Sequence, residues 1–269
     1  MASESREGRK GQALTRPRTP RYLVVSPHLD DAVFSCASLL AARPGTIVCT
    51  IFAGTPKIPQ RTGWDDAAGF VDSTQAMQGR LREDKLALDV CGAHAIRLDF
   101  LDGQYGPLPD ADTLAAALGD ELERLPDLEL VVPLGLRHPD HVRVAEAWGI
   151  LFRARRLKSC VVYGEAIHRT ARGAAAARLA ELGAAGLCAH SLDETWLPER
   201  LGARALDVKR RSVRAYASQL RAFGERLPAD IAKPERYWRL GWASTASALR
   251  ALRRNCATAD GARTRTHTA

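Results

Sequence analysis

The stretch "VVSPHLDD", Val24 to Asp31, ends an apolar run in a histidine and two adjacent carboxylates, His28, Asp30 and Asp31. Ionisable groups at the mouth of a buried strand are costly unless they are paired, hydrogen-bonded or bound to a cation. A second stretch, "LVVPLGLRHPDH", repeats the arrangement with His138, Asp140 and His141. Two imidazoles and a carboxylate converging from separate loops would form a three-ligand set with an open position, the pattern of a catalytic zinc or similar divalent site. A carboxylate left over beside such a set can act as general base on a water whose pKa the cation lowers to roughly 7. For either stretch alone the plainer alternative is a hydrogen-bonded histidine beside a helix-capping aspartate. Both stretches occupying the same kind of place favours the metal site.

That place is set by the surrounding elements. Tyr22–Ser26, Thr46–Ala53, Ala95–Leu98, Leu128–Pro133 and Ser159–Tyr163 read as strands, and Asp30–Ala42, Thr74–Val90, Thr113–Arg124 and Asp140–Arg156 as helices. Gly54–Ser73 reads as a long polar loop. Pro139 suits a first helical turn, where its missing N–H costs nothing. After Tyr163 the pattern loosens into a helix at Ala171–Ala184, a strand near Leu187–Leu192 and a helix around Leu206–Phe223. Strands alternating with long helices imply an α/β fold with a mainly parallel sheet covered on both faces. Ligands of such sheets bind beyond the carboxyl ends of the strands. Both histidine stretches stand at such an end.

Composition narrows the class. The net charge of +8 sits at the ends: residues 1–21 carry six basic and two acidic groups, residues 250–269 five arginines and one aspartate, and 22–249 balance to zero. No internal basic stripe marks a nucleic-acid face, so no nucleic-acid partner is expected. Segments 1–20 and 251–269 read as disordered basic tails around one domain, 21–250, with a C-terminal extension packed on it. No apolar run is long enough to span a bilayer, and the N-terminal residues lack a secretory apolar region, so a cytoplasmic location is expected. The six cysteines are scattered and read as buried small apolar groups, without disulfides.

"SPHLDDAVFSCA" and "HPDH" together resemble the two histidine motifs of the PIG-L, or LmbE-like, deacetylase family, and the SPHLDDA form resembles a bacterial branch of it. The resemblance, over roughly residues 21–168, implies a Rossmann-like sheet, a divalent metal (usually Zn2+, with Fe2+ another option) and hydrolysis of an N-acetyl group from an amino sugar or glycoside. It implies His28, Asp31 and His141 as metal ligands and Asp30 as general base. It further implies His138 as oxyanion stabiliser or proton donor, and Asp140 as the partner orienting it. "RLRE" resembles the family's R-x-x-E, making Arg80 a substrate-binding candidate, the alternative being an exposed charge pair with Glu83. Asp102 and Glu165, in loops after strands, are further substrate-side candidates.

Leu29 and Ala32 stand where the family has Pro and Glu, so another group must orient the first motif. Leu136 stands where some relatives carry a tyrosine. "VKRRSVRAYASQL" resembles a family signature, K-x6-Y-x-S-Q, whose role reads only as packing or pocket lining. Trp64, Trp196, Tyr237 and Trp238 are candidates to stack on a sugar. The expected partner is a small-molecule amino-sugar substrate; oligomeric state is not legible. The competing readings are a non-catalytic α/β sugar-binding protein and a hydrolase of another amide or ester.

Overall fold

The computed structural model describes residues 21–243, except 126, 194, 198, 200, 201 and 225–227. The two tails expected to be disordered, and Cys256, lie outside the described residues. In chain order the elements are β1 (Arg21–Ser26), α1 (Asp31–Ala42), β2 (Ile47–Thr50), α2 (Gly63–Ala68), α3 (Ser73–Cys91), β3 (His94–Arg97), α4 (Ala111–Arg124), β4 (Leu128–Pro133) and α5 (Pro139–Arg153). There follow β5 (Ser159–Tyr163), α6 (Ala174–Ala184), β6 (Leu187–Leu192), α7 (Ala203–Ala215), α8 (Ala217–Ala222) and β7 (Tyr237–Trp242).

These strands form one sheet in the order β3-β2-β1-β4-β5-β7-β6. The first five in that order run parallel, and β7 is antiparallel to both β5 and β6. Because side chains alternate along a strand, Leu23, Val25 and Val132 face one layer, with Leu118, Val144 and Trp148 of α4 and α5 packed over them. Tyr22, Val24, Val131 and Tyr163 face the other, under Phe34 and Leu40 of α1 and Ala87 and Leu88 of α3. The mainly parallel, doubly covered α/β sheet is as the periodicity implies. Cys36 and Cys91 on helices and Cys49 and Cys160 on strands are free and buried. No helix among the described residues is long and apolar enough to cross a membrane.

The strand order reverses between β1 and β4, which pair in register from Arg21↔Leu128 to Val24↔Val131. Crevices at such a switch point are where open α/β sheets bind ligands. The two histidine stretches leave these two strands, so neighbouring carboxyl ends carry both.

Three elements differ from the sequence reading. The loop Gly54–Ser73 contains α2, whose Gly63, Trp64, Asp65 and Asp66 are poor helix formers. It is held instead by its ends: Thr62 Oγ1 accepts the Asp65 N–H at 3.1 Å, and Gly69 closes it with φ 87°. The helix expected at Leu206–Phe223 divides at Tyr216 (φ −83°, ψ 55°) into α7 and α8. Tyr237 and Trp238 belong to a strand, β7, not to a sugar-stacking surface.

The C-terminal extension is fastened by a buried ion pair. Lys209 Nζ donates to Glu235 Oε1 at 2.9 Å, and the same carboxylate accepts from the Ser38 amide (2.9 Å) and the Tyr237 hydroxyl (2.8 Å). Removing one partner of a buried pair leaves an uncompensated charge. Lys209→Ala should therefore cost about 3–5 kcal/mol of unfolding free energy, measured by urea denaturation.

Candidate active site

The cleft at the switch point has a volume of about 620 Å³ and is lined by His28, Asp30, Asp31, Arg80, Asp102, His138, Asp140 and His141, with Phe52, Trp64, Leu108 and Phe223 among its apolar walls. Eight of the nine sequence candidates thus meet in one cavity.

The loop after β1 is built by local bonds. Ser26 Oγ donates to the His28 carbonyl at 2.5 Å and accepts the Ala32 N–H at 2.9 Å. Ser26 thus takes over part of the orienting task left open by Ala32. The His28 N–H donates to Asp31 Oδ2 at 2.9 Å. Asp30 is the N-cap of α1, yet its side chain makes no capping bond. A carboxylate in a capping position that does not cap is left to face the cleft.

The loop after β4 turns at Gly135 (φ 84°), where a Cβ would lie 2.4 Å from the Ala145 methyl carbon. Pro139 opens α5, and His138 caps it by accepting the Asp140 N–H on Nδ1 at 3.3 Å. With Nδ1 accepting, the neutral ring carries its proton on Nε2.

Asp31 Oδ2 lies 3.2 Å from His28 Nδ1 and 3.1 Å from His141 Nε2. Donor atoms of these three residues all fall within 4.8 Å of one another. Bonds of about 2.0–2.1 Å at tetrahedral angles set zinc ligands about 3.3 Å apart, so the donor set fits a divalent cation. Two imidazoles with one carboxylate suit zinc or ferrous iron. Burial works against charge on His141, yet the Asp31 carboxylate outweighs it and raises the pKa to about 9. Burial likewise opposes charge on Asp31, but His141 and His28 hold its carboxyl well below the usual range. The pocket is electrostatically set for a positive charge against Asp31.

Each of the two histidines is backed by a carboxylate on its other nitrogen, the usual support of a metal-ligating imidazole. His28 Nε2 lies 2.9 Å from Asp140 Oδ2, which also accepts the Gly103 N–H at 3.0 Å. Asp140 is thus bonded to His28 more closely than to His138, whose Nδ1 is 3.4 Å from its other oxygen. His141 Nδ1 faces Glu165 Oε1 at 3.5 Å. Glu165, expected on the substrate side, does not line the cleft: it is wholly buried behind His141 and accepts the Gly135 and Leu136 N–H groups at 2.7 and 2.8 Å.

Arg80 is buried rather than an exposed partner of Glu83. Its guanidinium donates to Asp65 Oδ1 at 2.7 Å and lies 3.6 Å from Asp102 Oδ2, with the Tyr105 hydroxyl on the other Asp65 oxygen at 2.8 Å. Glu83 instead accepts from Ser218. Of the four aromatic candidates, Trp64 lines the cleft. Trp196 packs on Tyr22 and Tyr237, and Trp238 lies against Gly164, both away from it.

His168 is a site residue that the sequence does not announce. It lines the cleft, with its ring centroid 4.5 Å from that of His141. It follows a tight three-residue turn in which Ile167 has φ 76° and ψ −55° and the His168 N–H donates to the Ala166 carbonyl at 2.9 Å. A β-branched residue in that region is strained, and strain of this kind gathers at functional sites. Burial and the neighbouring His141 push the His168 pKa down to about 4, so the ring is neutral. A lone histidine three positions after Glu165 carries no spacing signal.

Residues 23–149 match a family model described as PIG-L: GlcNAc-PI de-N-acetylase. No curated protein matches the sequence. Among solved structures, the zinc-inhibited form of teicoplanin deacetylase Orf2 is similar with a TM-score of 0.67 and 18% identity, covering 84% of this chain and 99% of that one. A deacetylase–teicoplanin complex gives 0.62 and 20%, covering 83% and 99%. The A40926 pseudoaglycone deacetylase Dbv21 gives 0.61 and 22%, covering 84% and 98%. These likenesses establish a shared fold.

Two substitutions test the donor set. His141→Ala should abolish zinc uptake, measured as bound metal per chain. Glu165→Gln keeps the shape behind His141 but removes the charge, and should weaken zinc binding about 10- to 100-fold in a chelator competition.

Proposed function

We propose that this chain, whose residues 23–149 match the PIG-L family model, is a divalent-cation-dependent hydrolase that removes an N-acetyl group from an amino sugar or its glycoside. The observation that carries this reading is a His28–Asp31–His141 donor set beside Asp30, a carboxylate with no capping role. The family's description as a GlcNAc-PI de-N-acetylase supports it, as does the likeness to deacetylases of teicoplanin and of A40926 pseudoaglycone. Zinc is the proposed ion, on the nitrogen-rich donor set.

A cation held there would supply Lewis acidity and lower the pKa of a water. The protein's own groups do the rest. Burial, together with the charge of Asp31, raises the Asp30 pKa to about 7, the range in which a carboxylate both takes and returns a proton efficiently. Asp30 removes the proton of the attacking water and, once protonated, can return it to the leaving amine. His138 is held neutral by burial and by the neighbouring His28, which lower its pKa. Its Nε2–H then donates a hydrogen bond to the oxygen on which negative charge develops. Arg80, Asp102 and Gln104 line the polar wall and offer partners for sugar hydroxyls. Trp64, 37% exposed at the rim, offers an aromatic face.

Asp30→Asn should keep its zinc while losing about 10²–10⁴-fold in kcat, read as acetate released from N-acetylated amino sugars and glycosides. Full activity in that variant would end the reading. A base works only when deprotonated, so kcat/KM should fall as pH drops, with a midpoint no higher than about 7 because an adjacent cation lowers the Asp30 pKa further. His138→Ala should cost about 10²–10³-fold in kcat with little change in zinc content.

A further inference from the structure

The K-x6-Y-x-S-Q segment, Lys209 to Gln219, lies beyond the residues that match the family model, yet each of its four residues ties the C-terminal helices to the site or its frame. Lys209 pairs with Glu235, and Ser218 donates to Glu83 through both its amide and its hydroxyl. Gln219 Oε1 accepts the Trp64 indole N–H at 2.9 Å. Tyr216, at the break between α7 and α8, is wholly buried, and its hydroxyl lies 2.9 Å from the Leu29 carbonyl and 3.0 Å from Asp84 Oδ1.

Leu29 is the residue between His28 and Asp30. Asp30 is the N-cap, and its carbonyl accepts the first bond of α1, from Phe34 N–H at 2.9 Å. The Leu29 carbonyl lies one residue outside that ladder and, being buried, needs a donor from elsewhere. Tyr216 supplies it. The phenol is itself fixed: Phe34 packs on its ring at 5.5 Å, and Arg97 holds the far oxygen of Asp84. A chain of contacts therefore runs from Arg97 on β3 through Asp84 and Tyr216 to the peptide that carries His28 and Asp30.

We propose that Tyr216 is a positioning residue for the cation-binding loop: its hydroxyl fixes the Leu29 carbonyl and so sets the bearing of His28 and Asp30. This rests on the reading that His28, Asp31 and His141 hold a divalent cation. Metal-free Tyr216→Phe protein, titrated with zinc against a chromogenic chelator, should bind the ion about 10- to 100-fold more weakly than the parent protein. The backbone amides of residues 28–32 should exchange hydrogen faster in that metal-free variant. Ser218→Ala alters the same helix pair without touching the loop, and should leave both readouts unchanged.

Unchanged zinc affinity in Tyr216→Phe overturns the proposal. A fall in kcat with affinity and exchange unchanged also overturns it, because the phenol would then act on the substrate. Should Tyr216→Phe not fold, Asp84→Asn weakens the hold on the phenol that bonds Leu29. Zinc affinity should then fall several-fold and exchange at residues 28–32 should quicken, and no change in either overturns the proposal. Full zinc stoichiometry in His141→Ala would instead sink the cation reading itself.

Discussion

One carboxylate oxygen, Asp31 Oδ2, stands about 3 Å from two imidazole nitrogens that come from opposite ends of the first 141 residues. Holding three ionisable groups that close in a buried crevice is expensive unless each has a partner and a fixed bearing. Much of the fold answers to that constraint. Pairing β1 with β4 brings the two loops to one crevice. Asp140 bonds the outer nitrogen of His28 and Glu165 faces that of His141 at 3.5 Å, and both carboxylates are held in turn by backbone N–H groups, of Gly103 and of Gly135 and Leu136. The support is layered, each carboxylate fixed in turn by peptide donors of a loop that follows a strand.

That layering explains what could be read from the chain. His28, Asp30, Asp31, His138, Asp140 and His141 are legible because each cluster is local and sits where an apolar run ends. The first five strands are legible because their apolar runs are short, dense and separated by helical periods. Glu165 is different. A glutamate after a strand is equally compatible with solvent, substrate or burial, and only the course of the neighbouring β4 loop decides. Tyr216 interrupts a helix whose polar pattern runs on without a break, so its turn is set by partners more than a hundred residues away. The run "YWRLGW" has the bulk of a core strand and of an aromatic surface alike. Its place between β5 and β6 is a matter of sheet pairing, not of local propensity.

The segment matched by the family model and the unit that completes the site are therefore not the same length of chain. Residues 23–149 contain the donor set and Asp30 beside it. Glu165, His168, Tyr216 and Gln219 follow, backing a histidine, lining the cleft, holding the first loop and bonding the rim tryptophan. Trp64 on α2 and Phe223 beyond α8 meet edge to face at 5.2 Å, so the rim is closed by two segments far apart in sequence. The donor set is local to one half of the chain, while its rigidity and the shape of its entrance belong to both.

The position of β7 has a consequence for how the molecule comes into being. β6 borders β7 alone, and β5 is completed on that side by the same strand, so residues 187–192 have no place in the sheet until residues 237–242 arrive. Emerging from a ribosome, the chain displays its two histidine loops early and exposes an unpaired edge of β5 until residues 237–242 have been made. Unpaired strand edges invite wrong partners, and pairings that wait on distant sequence are slow to form. The last of the described strands closes the sheet, so the time between translating Tyr163 and Trp242 leaves a strand edge open to wrong pairing.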